Sequence, residues 1–157
     1  MRWIGISYYL KYNKLLWELE KNYPEIKWWF YDKVVPSINF WYWKILELEN
    51  DGELIWFSIL KNTIKEQKIR TITVLEKYQN KWYAVKLMKE SIKELENDKP
   101  LYTVSEEFID VYKKIWKHFW HKIIWILDSK YIPWKKEYVF NWGYQENNDY
   151  STPFPIY

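Results

Sequence analysis

The two histidines of the chain lie three residues apart, in the stretch KHFWHKIIWIL at positions 117–127. On a helix, His118 and His121 would lie about 60° apart, so both rings could reach one metal ion. A zinc site needs at least one further ligand, and Asp128 is the only acid nearby. The lysines around the pair would repel a divalent cation. We therefore interpret His118 and His121 as an ordinary half-exposed pair, and we predict neither a metal nor another cofactor.

The same stretch is a candidate surface for binding nucleic acid. Seven lysines and a single acid lie between Val111 and Lys136. Lysines neutralise phosphates and exposed tryptophans stack on bases, so RNA contact is one interpretation. The alternative is a helix packed on two sides by neighbouring elements or by another subunit, with the lysines at its solvated edge. The candidate partner-binding residues are Lys113, Lys114, Lys117, Trp120, His121, Lys122, Trp125, Lys135 and Lys136.

Catalytic motifs are weak. Glu66-Gln67-Lys68 matches the acid-x-lysine part of a metal-dependent nuclease site, and Asp51 could supply a second carboxylate. Glu66 falls in a predicted loop, however, and no Pro-Asp partner precedes it convincingly. No serine lies in a G-x-S-x-G turn, and three glycines exclude the known glycine-rich phosphate loops. We expect no enzyme, or otherwise a metal-dependent nuclease.

Composition limits the remaining classes. The 157 residues suit one domain, 48% of them are hydrophobic, and the absence of cysteine excludes disulfides and thiolate chemistry. No apolar run is long enough to span a bilayer, and the N-terminus lacks a signal peptide. With 22 lysines, two arginines and 13 tryptophans, the chain suggests an AT-rich genome that reads UGA as tryptophan. We expect an intracellular, reducing or cysteine-independent compartment, with a mitochondrial origin as one interpretation.

Helices and strands must position these residues. Apolar spacing predicts a helix over 7–23 and a second one that stops before Pro36. Two hairpins follow, one turning at Asn50-Asp51-Gly52 and one at Gln79-Asn80, and they predict four antiparallel strands. A short helix is predicted over 89–97.

Thr103 and Glu106 form a capping box, which predicts a long helix over 103–127. A further strand is predicted over 138–142. The predicted fold class is α+β, with a curved antiparallel sheet of about four strands packed against an N-terminal helical region and the long C-terminal helix. Residues 1–143 form the predicted domain. Residues 144–157 form an extended tail with three aromatic docking anchors, Tyr150, Phe154 and Tyr157.

The surplus of aromatic residues, 22% of the chain, predicts that some of them face partners. The favoured function is a non-catalytic subunit that docks into a larger assembly, such as an organellar or ribonucleoprotein complex. Its expected partners are other protein subunits, with RNA contact through the lysine- and tryptophan-rich helix. A metal-dependent nuclease and a small-molecule binding module with an aromatic pocket are the alternatives.

Overall fold

The computed structural model describes residues 2–20, 23–40, 42–129 and 132–141. Among the described helices, none combines the length and the apolar character that crossing a membrane requires. The predicted tail anchors Tyr150, Phe154 and Tyr157 lie outside the described residues.

The N-terminal region is helical. Helix α1 (Arg2–Glu20) is followed by α2 (Ile26–Trp29), a π-helical turn, α3 (Val35–Ser37) and a 3₁₀ turn that ends at Phe40. The prediction that the second helix stops before Pro36 is wrong, because Pro36 lies within α3. In the first turn of a helix the missing N–H of proline breaks no helical hydrogen bond.

The first sheet contains three antiparallel strands, β1 (Trp43–Asn50), β2 (Glu53–Asn62) and β3 (Gln67–Val74), in that order. Strands β1 and β2 are joined at the predicted turn, where Asp51 and Gly52 have φ values of 52° and 77°. Positive φ at both positions is typical of the tight hairpin turn that matches strand twist. The helices α1 and α2 cover one face of this sheet.

The other face is covered by α4 (Tyr83–Leu95). The predicted hairpin at Gln79-Asn80 is therefore wrong, because the segment expected to form its second strand is the start of a helix. Leu87, Ser91 and Leu95 are buried at four-residue spacing, which is the helical period and not the period of two found in strands.

The second sheet contains β4 (Tyr102–Ser105), β5 (Ile123–Asp128) and β6 (Lys136–Phe140), in the antiparallel order β4-β6-β5. Helix α5 (Ile109–His118) connects β4 to β5. The predicted helix over 103–127 is thus wrong at both ends, since Thr103 belongs to a strand and the helix stops at His118.

The stop after His118 is a helix C-cap without glycine. Trp120 adopts a left-handed conformation with φ of 57°. The N–H of His121 donates to the Trp116 carbonyl at 2.9 Å, and the N–H of Trp120 donates to the Lys117 carbonyl at 3.3 Å. These are the two hydrogen bonds of the Schellman motif, which normally places glycine where Trp120 lies. The sequence contained no conventional signal for this stop.

The two sheets meet at a single parallel bridge between Lys68 of β3 and Leu101, which immediately precedes β4. The N–H of Ile69 donates to the Leu101 carbonyl at 2.9 Å, and the N–H of Leu101 donates to the Gln67 carbonyl at 3.2 Å. Beyond this bridge β3 and β4 belong to separate sheets. The predicted single sheet of about four strands is therefore replaced by two sheets of three strands.

Candidate functional site

The separation of β3 from β4 creates an opening at their carboxyl ends, where ligands commonly bind beside parallel strands. Helix α5 reaches β3 across this opening. The Tyr112 hydroxyl donates a hydrogen bond to the Ile72 carbonyl of β3 at 3.0 Å. On the edge of β3 that faces away from β2, a side chain and not a strand therefore meets the backbone at Ile72.

The Gln67 side-chain amide at the start of β3 donates to the Leu95 carbonyl at the end of α4, so α4 runs antiparallel to β3. The N-terminus of α4 therefore lies towards the carboxyl end of β3, at the same end as the opening. Asn80 and Trp82, both with φ of 62°, turn the backbone into this helix. The side chain of Trp82, at the N-cap, makes no capping hydrogen bond, and the Lys86 N–H donates to the Trp82 carbonyl at 3.0 Å as the helix begins. The earlier N–H groups of the first turn thus have no helical acceptor. Such an end favours an anion through its N–H groups and its dipole.

A cluster of buried and partly buried polar side chains lies near the carboxyl end of β4. We call Tyr23, Ser105, Tyr112 and Glu137 the tyrosine–glutamate cluster. Ser105 and Glu137 are paired across β4 and β6, and Glu137 is only 4% exposed. Tyr23, from the segment between α1 and α2, lies beside Ser105 and interacts electrostatically with Glu137 and Tyr112. Four separate segments of the chain therefore converge here.

The tyrosines of this cluster stay protonated over the neutral range. Burial, followed by the nearby negative charge of Glu137, raises the pKa of Tyr23 well above its ordinary value. Burial also raises the pKa of Tyr112. Because desolvation disfavours the phenolate, each hydroxyl keeps its proton, and that of Tyr23 also interacts with the Glu137 carboxylate. The arrangement can hold and transfer protons.

The predicted histidine pair is divided by the fold. His121 is buried, with Nδ1 accepting a hydrogen bond from the Tyr102 hydroxyl and Nε2–H donating to the Asp98 carbonyl, both at 2.9 Å. Burial lowers the pKa of His121, which fits this neutral tautomer. His118 is exposed, and its ring meets the Phe119 ring edge-on. Within the part of the chain that the structure describes, no three or more His, Cys, Asp or Glu side chains form a metal-binding group.

The predicted nuclease residues do not converge. Asp51 lies at the β1–β2 turn, whereas Glu66 lies past the far end of the ten-residue strand β2, about 30 Å away. Glu66 instead pairs with Lys61, with Lys68 at 3.4 Å and with Arg70 at 3.5 Å. Burial alone would raise the pKa of Glu66, but the three cations outweigh it and lower the pKa to about 2. This carboxylate is held in a structural ion-pair network.

The predicted partner-binding residues lie in the second-sheet half of the molecule. Lys113, Lys114 and Lys117 are exposed on α5, and Lys122 is exposed just before β5. Trp120 and Trp125 are also exposed, whereas His121 is buried and does not lie on this surface. Lys135 pairs with Glu107, and Lys136 begins β6. The proposed contacts of these residues with RNA or protein stay predictions.

No protein-family model matches the sequence, and no curated protein matches it. Solved structures match its fold. An aminoglycoside 6′-N-acetyltransferase complexed with coenzyme A has a TM-score of 0.59 at 12% identity, with 83% of this chain and 89% of that chain covered. The ribosomal-protein-S18-alanine N-acetyltransferase from Escherichia coli has a TM-score of 0.56 at 16% identity, with 68% and 74% covered. A GNAT family acetyltransferase from Elizabethkingia anophelis with acetyl-CoA bound has a TM-score of 0.52 at 15% identity, with 68% and 79% covered.

Sequence reasoning missed both the opening and the cluster, and its functional predictions require correction. Tyr23 and Tyr112 fall within the helices predicted over 7–23 and 103–127, and Glu137 is not among the predicted site residues. The helical spacing of Leu87, Ser91 and Leu95 was the one signal that could have located α4 and its N-terminus. The predictions of a non-catalytic docking subunit, of a ribonucleoprotein component and of a metal-dependent nuclease are wrong, because the matching structures are acetyltransferases. The chain has the GNAT acetyltransferase fold, built from two three-stranded antiparallel sheets.

Proposed function

We propose that this protein is an N-acetyltransferase that moves an acetyl group from acetyl-CoA to an amine. One observation carries the proposal: β3 and β4 separate after a single bridge, and the uncapped N-terminus of α4 lies at the end where they separate. The similarity to acetyltransferases solved with coenzyme A or acetyl-CoA supports the same activity.

The residues around the opening fit the chemistry of coenzyme A. Its phosphates are anionic, and the free N–H groups of the first turn of α4 suit such a group. Lys81, exposed in the segment before α4, adds positive charge beside it, whereas Lys77 pairs with Glu53. When bound, acetyl-CoA supplies an acetyl thioester and a thiolate leaving group.

The tyrosine–glutamate cluster fits the acceptor side of the reaction. An amine attacks a thioester only as the neutral base, so it needs a group that takes its proton. The buried Glu137 carboxylate serves this role, and it also attracts a protonated amine to the site. The thiolate of coenzyme A takes its proton from solvent as it departs, and the Tyr112 hydroxyl, which donates to the Ile72 carbonyl, holds α5 against β3. Tyr23 interacts electrostatically with Glu137.

A thiol-release assay tests the proposal. Full-length protein is mixed with acetyl-CoA and a panel of aminoglycosides, polyamines and peptides with free N-termini, and free thiol is measured over time. We expect amine-dependent release that falls by roughly 10²–10⁴-fold in Glu137→Gln, because a positioned proton acceptor contributes about that much. Glu18→Gln, which changes an exposed carboxylate on α1, is the matched control and should keep full activity.

Cofactor binding is tested separately by calorimetry with acetyl-CoA. Lys81→Glu should weaken binding by about tenfold through charge repulsion, and Glu137→Gln should bind as the unaltered protein does. If the unaltered protein binds no acetyl-CoA at millimolar concentration, the proposed function is rejected.

The predicted contacts with other protein subunits and with RNA are not part of the support for this proposal. Their candidate lysines and tryptophans lie on α5 and around β5, and not in the tyrosine–glutamate cluster.

A further inference from the structure

Strand β5 has an unusual surface for the edge of a sheet. It pairs with β6 on one side and, within the described residues, is the outer strand of the second sheet. Its apolar side chains are nevertheless exposed, with Trp125 at 53% and Ile126 at 48%, and Ile123 and Ile124 at more than a third. No charged residue interrupts positions 123–127. Exposed edges are normally protected by lysine, proline or a covering element, because their free backbone groups can pair with another strand.

Charges lie only at the two ends of this apolar strand. Lys122 precedes it and Asp128 closes it, and both are exposed. If two copies of β5 pair antiparallel about Trp125, the Lys122 end of each copy lies beside the Asp128 end of the other, with the exact register offset by the bulge between Ile123 and Trp125. A parallel arrangement would instead place like charges side by side. The charge pattern therefore favours a strand identical to β5 running in the opposite direction.

We propose that β5 pairs antiparallel with β5 of a second copy of this chain, forming a two-fold symmetric dimer with Trp125 at the axis. The pairing satisfies backbone groups at both edges and covers the apolar side chains of both strands. Trp120 before the strand and Trp134 after it, at 83% and 92% exposed, extend the apolar surface at both ends. The dimer is independent of the proposed catalytic activity, because the tyrosine–glutamate cluster takes no residue from β5.

Charge reversal tests this arrangement. Sedimentation equilibrium of the full-length protein should show a monomer–dimer equilibrium. Lys122→Asp and Asp128→Lys should each weaken the dimer by about tenfold or more, because each reversal turns two attractive pairs into repulsive ones. The double variant Lys122→Asp/Asp128→Lys should recover the original dissociation constant to within about threefold. Lys113→Asp, an exposed reversal on α5, is the matched control and should change little.

Cross-linking provides a second readout that does not depend on charge. The chain has no cysteine, so Trp125→Cys introduces a single thiol at the proposed axis. Mild oxidation should convert most of this variant to a disulfide-linked dimer, because directly opposed Cβ atoms meet the distance requirement. Val111→Cys, exposed on α5, should cross-link far less under the same conditions.

Several results would overturn the proposal. Pairing through β5 would be excluded if the protein is a monomer at several hundred micromolar. It would also be excluded if the dissociation constant of the dimer is unchanged by both single reversals. A double variant as weak as the single ones would exclude the antiparallel register. A monomer whose binding to single-stranded RNA is lost in Trp125→Ala would assign this surface to RNA instead. If the reversal variants fail to fold, equal cross-linking at positions 125 and 111 would still reject the dimer.

Discussion

The two sheets of this protein differ in how far their apolar strands are buried. In the first sheet, strand β2 buries an almost continuous apolar run over 54–60, between helices on both faces. In the second sheet the apolar strand β5 is exposed, while Ser105, His121 and Glu137 are buried. Apolar burial is the usual source of stability, and buried polar groups are more informative about function. The first sheet therefore acts as the scaffold and the second as the working region.

Removing one aromatic side chain from each sheet should give the largest contrast. Phe57→Ala in β2 leaves a cavity at a fully buried position, so the free energy of unfolding should fall by about 3–5 kcal/mol. Trp125→Ala in β5 removes an exposed ring, so it should change the folding of the monomer by less than about 1 kcal/mol. Urea unfolding at low protein concentration measures both. Equal losses would break the comparison between scaffold and working region.

The ion-pair network of Glu66 lies at the edge of the first sheet. The pKa of Glu66 is about 2 in the folded protein, against an ordinary value of 4.5. Because its folded-state pKa is depressed, the stabilisation is complete above about pH 4.5 and is lost as the pH falls towards 2. The shift corresponds to about 3 kcal/mol, so Glu66→Gln should be destabilised by that order at pH 7. Its free energy of unfolding, measured by chemical unfolding between pH 6 and 2, should also fall less steeply as the pH decreases.

Asp51→Asn is the control for this carboxylate, because Asp51 is exposed at the β1–β2 turn. Its free energy of unfolding should decrease with falling pH as it does in the unaltered protein. If Glu66→Gln instead unfolds with the same pH profile as the unaltered chain, the network has no role in stability.

His121 tests the buried polar groups of the second sheet. His121→Phe leaves the buried Tyr102 hydroxyl without its acceptor, so the free energy of unfolding should fall by about 1–3 kcal/mol at pH 7. Burial lowers the pKa of His121. The unfolded chain thus binds its proton first, and stability should decrease as the pH falls below about 6.5.

His118→Phe is the matched control for that prediction, since His118 is exposed. Thermal unfolding between pH 7.5 and 5 should show a weaker pH dependence in His121→Phe and an unchanged one in His118→Phe. If the pH dependence of thermal stability is unchanged in both variants, His121 is already charged or solvated in the folded protein.

The smallest expected effect is a gain in stability at the end of α5. Trp120 is exposed and has φ of 57°, a backbone conformation that a bulky residue rarely adopts. Trp120→Gly should raise the free energy of unfolding by about 1 kcal/mol, because glycine adopts it without steric cost. Lys113→Gly, inside the same helix, should lower it by roughly 0.5–1 kcal/mol. A loss in both variants would indicate that the Trp120 ring packs against the protein or a second copy.

Much of the first sheet could be predicted from the sequence, because its signals are local. Asp51-Gly52 favours positive φ by itself, and the strands beside it contain β-branched and aromatic residues. In the second sheet the strand predicted over 138–142 overlaps β6 (Lys136–Phe140), but the other two strands were missed. Asn80, Trp82 and Trp120 all take left-handed conformations in which glycine is the usual residue. The chain has three glycines, and none of them marks the start of α4 or the end of α5.

By itself, the sequence determined the N-terminal helix, the first hairpin and the exclusion of cysteine chemistry, because each depends on neighbouring residues or on composition. Only the tertiary structure decided that β3 and β4 separate after one bridge, and that Tyr23, Tyr112 and Glu137 meet near the opening. These residues come from three distant segments, and no local spacing links them. Their proximity follows from packing two sheets against shared helices, since packing between distant segments overrides local preferences.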